Sequence, residues 1–93
     1  MIKSFANAAA EAAWSRRFVK GISNEIMKVA NRKLTQLHNA RSLHDLRAPP
    51  GNRLEALSGD RKGQHSIRIN DRWRVCFRWH RGDAHNVEIV DYH

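Results

Sequence analysis

Between Arg72 and Trp79 the chain alternates with a period of two. Trp73, Val75, Phe77 and Trp79 share one parity, and Arg72, Arg74, Cys76 and Arg78 share the other. Successive side chains of a strand point to opposite faces, so one side of this stretch builds a core while the other presents guanidinium groups. Upstream, Ile67 and Ile69 join the tryptophan side, and Ser66 and Arg68 join the arginine side. Asn70-Asp71, between the two runs, suits a two-residue turn, because both residue types tolerate the positive φ of a type I′ hairpin. Arginines at alternate positions on one face repel one another unless something anionic lies over them. A chain of phosphates meets that need.

The charge balance points the same way. Seventeen Lys and Arg against nine Asp and Glu leave a net charge of +8 and a pI near 10.8. Such an excess favours nucleic acid, an acidic partner or an anionic membrane surface. Most of these cations are arginine, whose planar fork pairs with phosphate and stacks on bases, so nucleic acid is favoured over a membrane. Scattered positions are accounted for by solubility alone. Residues 53–81 are not, because eight basic side chains there meet only three acidic ones. With 93 residues the chain is expected to form one domain, 1–93, around a single core.

Cys76 is the sole cysteine, so no internal disulfide forms and a reducing cytoplasm is the expected location. Arg74 and Arg78 beside it would favour a thiolate, while a small packing residue in a central strand is the simpler reading. No run reaches the length of a membrane span, and the alanine cluster at 8–13 is broken by Glu11 and followed by Arg16 and Arg17, unlike a signal peptide. No membrane partner is expected.

In chain order, Met1 to Phe5 reads as an opening strand. Asn7 caps a helix to about Ser15, with Glu11 near its positive end and Ala10, Trp14 and Phe18 as its buried stripe. Gly21 ends or interrupts that element. Ser23 caps a longer helix with Glu25 in its first turn; Ile22, Ile26, Val29, Ala30, Leu34 and Leu37 form its apolar stripe, and Lys28, Arg32 and Gln36 its wet side. Ser42-Leu43-His44-Asp45 resembles a capping box, and Pro49-Pro50-Gly51 ends helical periodicity. Strand periodicity follows: Leu54 to Leu57, a glycine-bracketed loop from Ser58 to Gly63 carrying Arg61 and Lys62, the central hairpin, a turn at His80-Arg81-Gly82-Asp83, and a last strand from His85 to His93. The expected fold is α+β, in the order β-α-α-β-β-β-β, with two helices on one face of a twisted, mostly antiparallel sheet.

Nucleophilic triads, zinc spacings and phosphate-loop glycines are missing. Gly59 to Gly63 is not a Walker loop, and His80, His85 and His93 lack metal-ligand spacing, so neither a metal nor another cofactor is expected. What remains is Asp91-Tyr92-His93 beside an arginine-rich sheet. A ribonuclease that needs no metal requires a base for a ribose 2′-hydroxyl, cations for the crowded phosphate and an acid for the leaving 5′-oxygen. His93 titrates near neutrality, and Tyr92 offers a hydroxyl and a stacking surface. The residues alone leave this catalytic reading level with that of a frayed end.

A resemblance covers nearly the whole chain. Met1-Ile2-Lys3-Ser4-Phe5, Pro49-Pro50-Gly51-Asn52-Arg53-Leu54-Glu55-Ala56-Leu57, Gly59-Asp60, Gly63, Ser66-Ile67-Arg68-Ile69-Asn70, Trp73-Arg74 and Asp91-Tyr92-His93 together resemble the HigB toxins of bacterial toxin–antitoxin modules, within the RelE/ParE superfamily. The resemblance implies the RelE-like fold and an endoribonuclease that enters the A site of the small ribosomal subunit and cuts mRNA, arresting growth. It implies a HigA-type helix-turn-helix antitoxin as partner, with operator DNA engaged only through the complex. It carries catalysis to Asp91, Tyr92, His93 and Arg74, and a phosphate contact to Arg68. Arg72, Arg78, Arg61 and Lys62 are further candidate RNA contacts. Two positions depart from the pattern. Glu55 stands where some members carry a catalytic histidine, and Ser58 where a lysine is common. Glu55 then acts as base or pairs with a nearby arginine. Two other readings stand: a non-enzymatic ParE-like toxin that binds a protein target such as gyrase, and an accessory protein that binds nucleic acid through charge alone.

Overall fold

The computed structural model describes residues 1–91; Tyr92 and His93, two of the expected catalytic residues, lie outside the described residues. Two helices, α1 (Ala8–Trp14) and α2 (Asn24–Asn39), precede strands β1 (Glu55–Ala56), β2 (His65–Arg68), β3 (Trp73–His80) and β4 (Asp83–Asp91). Short 3₁₀ turns at Leu43–Arg47 and Pro50–Asn52 link the helical and sheet halves, and a third at Gly59–Arg61 lies between β1 and β2. Among the described residues the strands form one antiparallel sheet in the order β1-β2-β3-β4. The fold is the expected α+β arrangement.

Local sequence accounts for both helix starts. Asn7 adopts extended backbone and its Oδ1 accepts from the Ala10 N–H at 3.0 Å. The same side chain donates to the Ile89 carbonyl at 2.9 Å, so one residue caps α1 and pins it to β4. Ser23 accepts from the Ile26 N–H at 3.2 Å, and Glu25 lies in the positive first turn of α2. Helix α1 buries Ala10, Ala12 and Ala13, whose small side chains let it approach α2 closely. The expected stripe through Phe18 is not formed: α1 stops at Trp14, and Phe18 is 52 % exposed. Helix α2 buries Met27, Ala30, Leu34 and Leu37, while Ile22, Ile26 and Val29 pack at its partly covered edge.

The core is the inner face of the sheet closed by these helices. Ile67, Val75, Phe77, Val87 and Ile89 meet Leu34, Leu37 and Ala10, with Trp73 and Trp79 packed at either end of β3. The expected parity of β2 and β3 is therefore the observed one. Burying an aliphatic or aromatic side chain of this size stabilises by roughly 1.5–3 kcal/mol, so the inner row outweighs any single polar contact on the opposite face.

The β2–β3 turn differs from the sequence reading. Arg68 pairs with Arg74, and the Ile69 and Asn70 N–H groups both donate to the Trp73 carbonyl, so the β2–β3 connection is a wide loop. Asn70 keeps negative φ and its Oδ1 accepts from the N–H groups of Arg72 (2.9 Å) and Trp73 (2.8 Å). That side-chain bridge holds the loop without the mirror-image turn. The turn expected at His80-Arg81-Gly82-Asp83 is formed as a tight one, with φ of 50° at Arg81 and 81° at Gly82 between the paired His80 and Asp83.

A bulge interrupts the β3–β4 ladder. Cys76 pairs with Glu88 but Arg78 with His85, so Asn86 and Val87 face Phe77 alone, and Asn86 takes φ of 53°. The Asn86 N–H donates to Ser4 Oγ at 2.9 Å. The opening segment runs parallel to β4 as isolated bridges, Ile2 to Ala84 and Phe5 to Val87, rather than as a continuous strand. The strand expected at Leu54–Leu57 shrinks to two residues for a related reason: Arg53 takes the left-handed conformation (φ 45°) as the Pro50–Asn52 turn ends.

Asn52 joins the two halves. It is fully buried, accepts from Lys33 Nζ at 2.5 Å, and its amide nitrogen reaches Gln36 Oε1 (3.0 Å) and the Leu46 carbonyl (3.2 Å). Burial, helped by the charges of Arg32 and Arg68, lowers the Lys33 pKa from its usual value. Asn52→Ala leaves these partners unsatisfied and is expected to cost about 2 kcal/mol. The check is urea denaturation, read as a lower midpoint at unchanged slope.

Candidate functional site

The face of the sheet opposite the helices carries the arginines. Register places Glu55 beside Ser66, Ser66 beside Cys76, and Cys76 beside Glu88, one row across β1 to β4. Arg68 and Arg74 form the next row, since they too are cross-strand partners. Four strand and loop arginines are covered here by carboxylates of the chain itself. Arg74 Nη1 lies 3.0 Å from Glu55 and 3.1 Å from Ser66 Oγ. Arg68 pairs with Asp71, Arg61 with Glu88, and Arg72 with Asp91 at 2.7 Å. The anion demanded by alternating cations is thus partly supplied internally.

These pairs divide the predicted site residues. Arg74, Glu55 and Arg68 come together around Ser66. Arg72 does not join them: it precedes β3, lies over the Trp73 ring at 5.3 Å from its centroid, and forks onto Asp91 at the end of β4. That hydrogen bond, reinforced by the Asp91 charge, raises the Arg72 pKa. Trp73 and Asp91 are cross-strand partners, so the start of the Asp91-Tyr92-His93 motif stands at the same end of the sheet as Arg74. Arg61 sits mid-sheet and also contacts Gln64 at 3.1 Å, with Lys62 exposed beside it. Arg78 lies beyond the bulge, at the opposite end of β3 from Arg74.

Cys76 is fully buried beneath the pairs Arg61–Glu88 and Arg74–Glu55. Desolvation pushes its thiol up to about 11, and the arginine charges only partly offset this. The packing reading holds; the reading of a thiolate activated by neighbouring arginines does not, because removal from water outweighs cations already matched by carboxylates.

Two surface cavities lie away from the Glu55–Arg74 contact, and of the expected site residues Arg78 alone lines one of them. A cavity of about 410 Å³ opens between the end of α1 and α2, with Phe18 and Met27 among Arg16, Arg17, Lys28 and Arg32. A second, of about 320 Å³, lies at the far end of β3 among Gly63, Arg78, Trp79, His80 and His85. In the second, register makes Arg78 and His85 neighbours on the open face, a relation that needs the bulge and is invisible in a regular alternation.

An antiparallel sheet backed by two helices, with its arginines on the helix-free face, defines an α+β domain of the RelE-like kind. Comparison with known proteins makes this specific. The family model for the HigB-like toxins, RelE-like toxins of type II toxin–antitoxin systems, matches residues 4–93, and the chain belongs to that family. It is 46 % identical over 68 residues to toxin HigB-1 of Vibrio cholerae, covering 73 % of this chain and 72 % of that protein. It is 29 % identical over 93 residues to endoribonuclease HigB of Proteus vulgaris, covering both chains completely. Membership makes this chain one half of a toxin–antitoxin pair. Among the described residues no helix is long and apolar enough to cross a membrane, and no three potential metal ligands cluster.

The shifted thiol yields a simple expectation. At pH 7.5 Cys76 resists alkylation by iodoacetamide in the native protein and reacts fully once denatured, as mass spectrometry of the two samples checks. Because the folded thiol titrates above the unfolded one, its neutral form favours the native state at neutral pH, and that contribution fades between about pH 9 and pH 11.

Proposed function

We propose that this toxin is a metal-independent, ribosome-dependent endoribonuclease that cuts mRNA in the A site of the small subunit. The observation that carries the reading is the juxtaposition of Glu55, Ser66 and Arg74 on the helix-free face, at the Asp91 end of the sheet, in a chain that belongs to the HigB-like family. The relative from Proteus vulgaris bears the name endoribonuclease HigB, which supports RNA cleavage as the activity.

In this reading the phosphate of the cut bond displaces Glu55 from Arg74. Glu55 is 47 % exposed and Arg74 16 %, so the carboxylate can swing into water while the guanidinium stays in place, and the arginine fork then matches the crowded phosphate as charge builds on it. Arg68, and Arg72 at the sheet end, offer the same exchange to flanking phosphates, while Arg61 and Lys62 meet the chain from the loop. The released Glu55 carboxylate accepts the 2′-hydroxyl proton, and Tyr92 or His93 gives a proton to the leaving 5′-oxygen. The 2′-oxygen forms a bond to phosphorus as the bond to the 5′-oxygen breaks, leaving a 2′,3′-cyclic phosphate. The ribosome supplies the in-line alignment that free RNA lacks. The antitoxin is a HigA-type helix-turn-helix protein, operator DNA is reached only through that complex, and the site of action is the cytoplasm.

Mapping 5′ ends on a defined mRNA in a purified translation system tests this. Cuts are expected only with ribosomes and are lost in His93→Ala; growth arrest without any cut would instead favour a ParE-like toxin acting on a protein target such as gyrase. Arg74→Ala is expected to abolish growth arrest while keeping the circular dichroism of the wild type. Retained arrest would remove Arg74 from the mechanism. Free single-stranded RNA should bind weakly, and four phosphate contacts should lose roughly 50-fold in affinity between 50 and 200 mM salt at a slope of about −0.7 per contact, as a titration series checks.

A further inference from the structure

The carboxylates that cover Arg61, Arg68, Arg72 and Arg74 leave a contrast at the other end of β3. Arg78 has no carboxylate partner among the described residues, and none lines the cavity of about 320 Å³ that it shares with Gly63, His80 and His85. The nearest acid in sequence, Asp83, faces His80 across the hairpin but binds the amino terminus of Met1 at 3.2 Å. The two imidazoles stand 6.1 Å apart, centroid to centroid, at 66°. Arg78 is held against the loop: a Cβ at Gly63, whose φ is +92°, would fall 2.7 Å from Arg78 Nη1. Glycine there is what lets the guanidinium lie on the loop backbone.

We propose that Arg78, His80 and His85, with the Gly63 loop, form a second phosphate subsite that holds the RNA chain some nucleotides away from the Glu55–Arg74 centre. The proposal rests on the RNA reading above and adds to it a site at the far end of the sheet. Arg78 lies four positions after Arg74, a distance of about 13 Å at the usual rise, long enough that one phosphate cannot bridge both. The covered pair Arg61–Glu88 lies between the two ends, and Arg78 is the β3 arginine without a carboxylate partner among the described residues. Histidine changes charge in the physiological range, so the far station strengthens as pH falls, while the arginine contacts stay constant. The charged groups around the imidazoles are Arg78 from β3, Arg81 from the turn, Asp83 from β4, and Lys62 on the loop before Gly63.

The test uses the whole protein and a short single-stranded RNA carrying 2′-O-methyl groups, which binds but cannot be cut. Its affinity is followed by fluorescence anisotropy against salt at pH 6 and pH 8. The wild type is expected to show a steeper salt dependence at pH 6, by about 0.7 in slope for each imidazole that charges. In a His93→Ala background, which removes the catalytic imidazole from the titration, the double variant His80→Gln, His85→Gln is expected to lose that difference and to retain the wild-type circular dichroism. Arg74→Ala is expected to bind more weakly yet keep the difference. A slope independent of pH in the wild type, or a pH effect that survives in the double variant, would overturn the subsite. If the wild type still cuts mRNA on ribosomes in those cases, only the subsite falls. If it neither binds the probe nor cuts, the ribonuclease reading fails and the subsite with it.

Discussion

Burial of one side of β3 against the two helices is the interaction on which the rest of this structure depends. Val75 and Phe77 are fully covered, flanked by Ile67 on β2 and Val87 and Ile89 on β4. A shift of one residue in register would turn all of these to solvent and bring arginines into the core, a penalty far larger than any surface contact returns. Strand period and helix cover together therefore commit Arg68, Arg74 and Arg78 to the open face. The basic surface is a consequence of how the core is made.

That surface is organised by pairing. Glu55, Asp71, Glu88 and Asp91 lie over four of the arginines, which relieves their mutual repulsion while leaving them exposed enough to exchange partners. Such pairs add little stability in water. They also distinguish the two ends of the sheet, since Arg78 has no carboxylate partner among the described residues while Arg74 has Glu55. Cys76, beneath the middle pairs, shows the electrostatic balance from inside: its neighbours' charges nearly cancel, so desolvation decides its state.

Irregular elements aim the functional side chains. The bulge at Asn86 restores His85 to the side of Arg78, and the same residue is tied to Ser4, so the opening segment and the far station share one anchor. Asn52 does the equivalent work at the other end. It gathers Lys33 and Gln36 of α2 and the carbonyl of Leu46, directly before Arg53 turns the chain into β1 and delivers Glu55 to Arg74. Two asparagines thus link helices, loops and sheet through contacts that no hydrophobic pattern records.

By itself the sequence determined the layers. Period-two alternation sorted Ile67, Val75 and Phe77 from Arg68 and Arg74, capping residues started both helices at Asn7 and Ser23, and the Pro49-Pro50-Gly51 break separated helical from strand periodicity, because each of these is a local preference of backbone and side chain. The motifs of the family were legible too, as spaced identities in Gly59-Asp60, Trp73-Arg74 and Asp91. What only the tertiary structure decided were relations between residues far apart in the chain. Arg74 meets Glu55 through the register of three strands; the β2–β3 connection is a wide loop because the Asn70 side chain accepts from the N–H groups of Arg72 and Trp73; His85 reaches Arg78 because a bulge shifts β4 by one residue. Such pairings arise from the closing of the sheet against the helices, and local propensity carries no information about which partner lies across the strand.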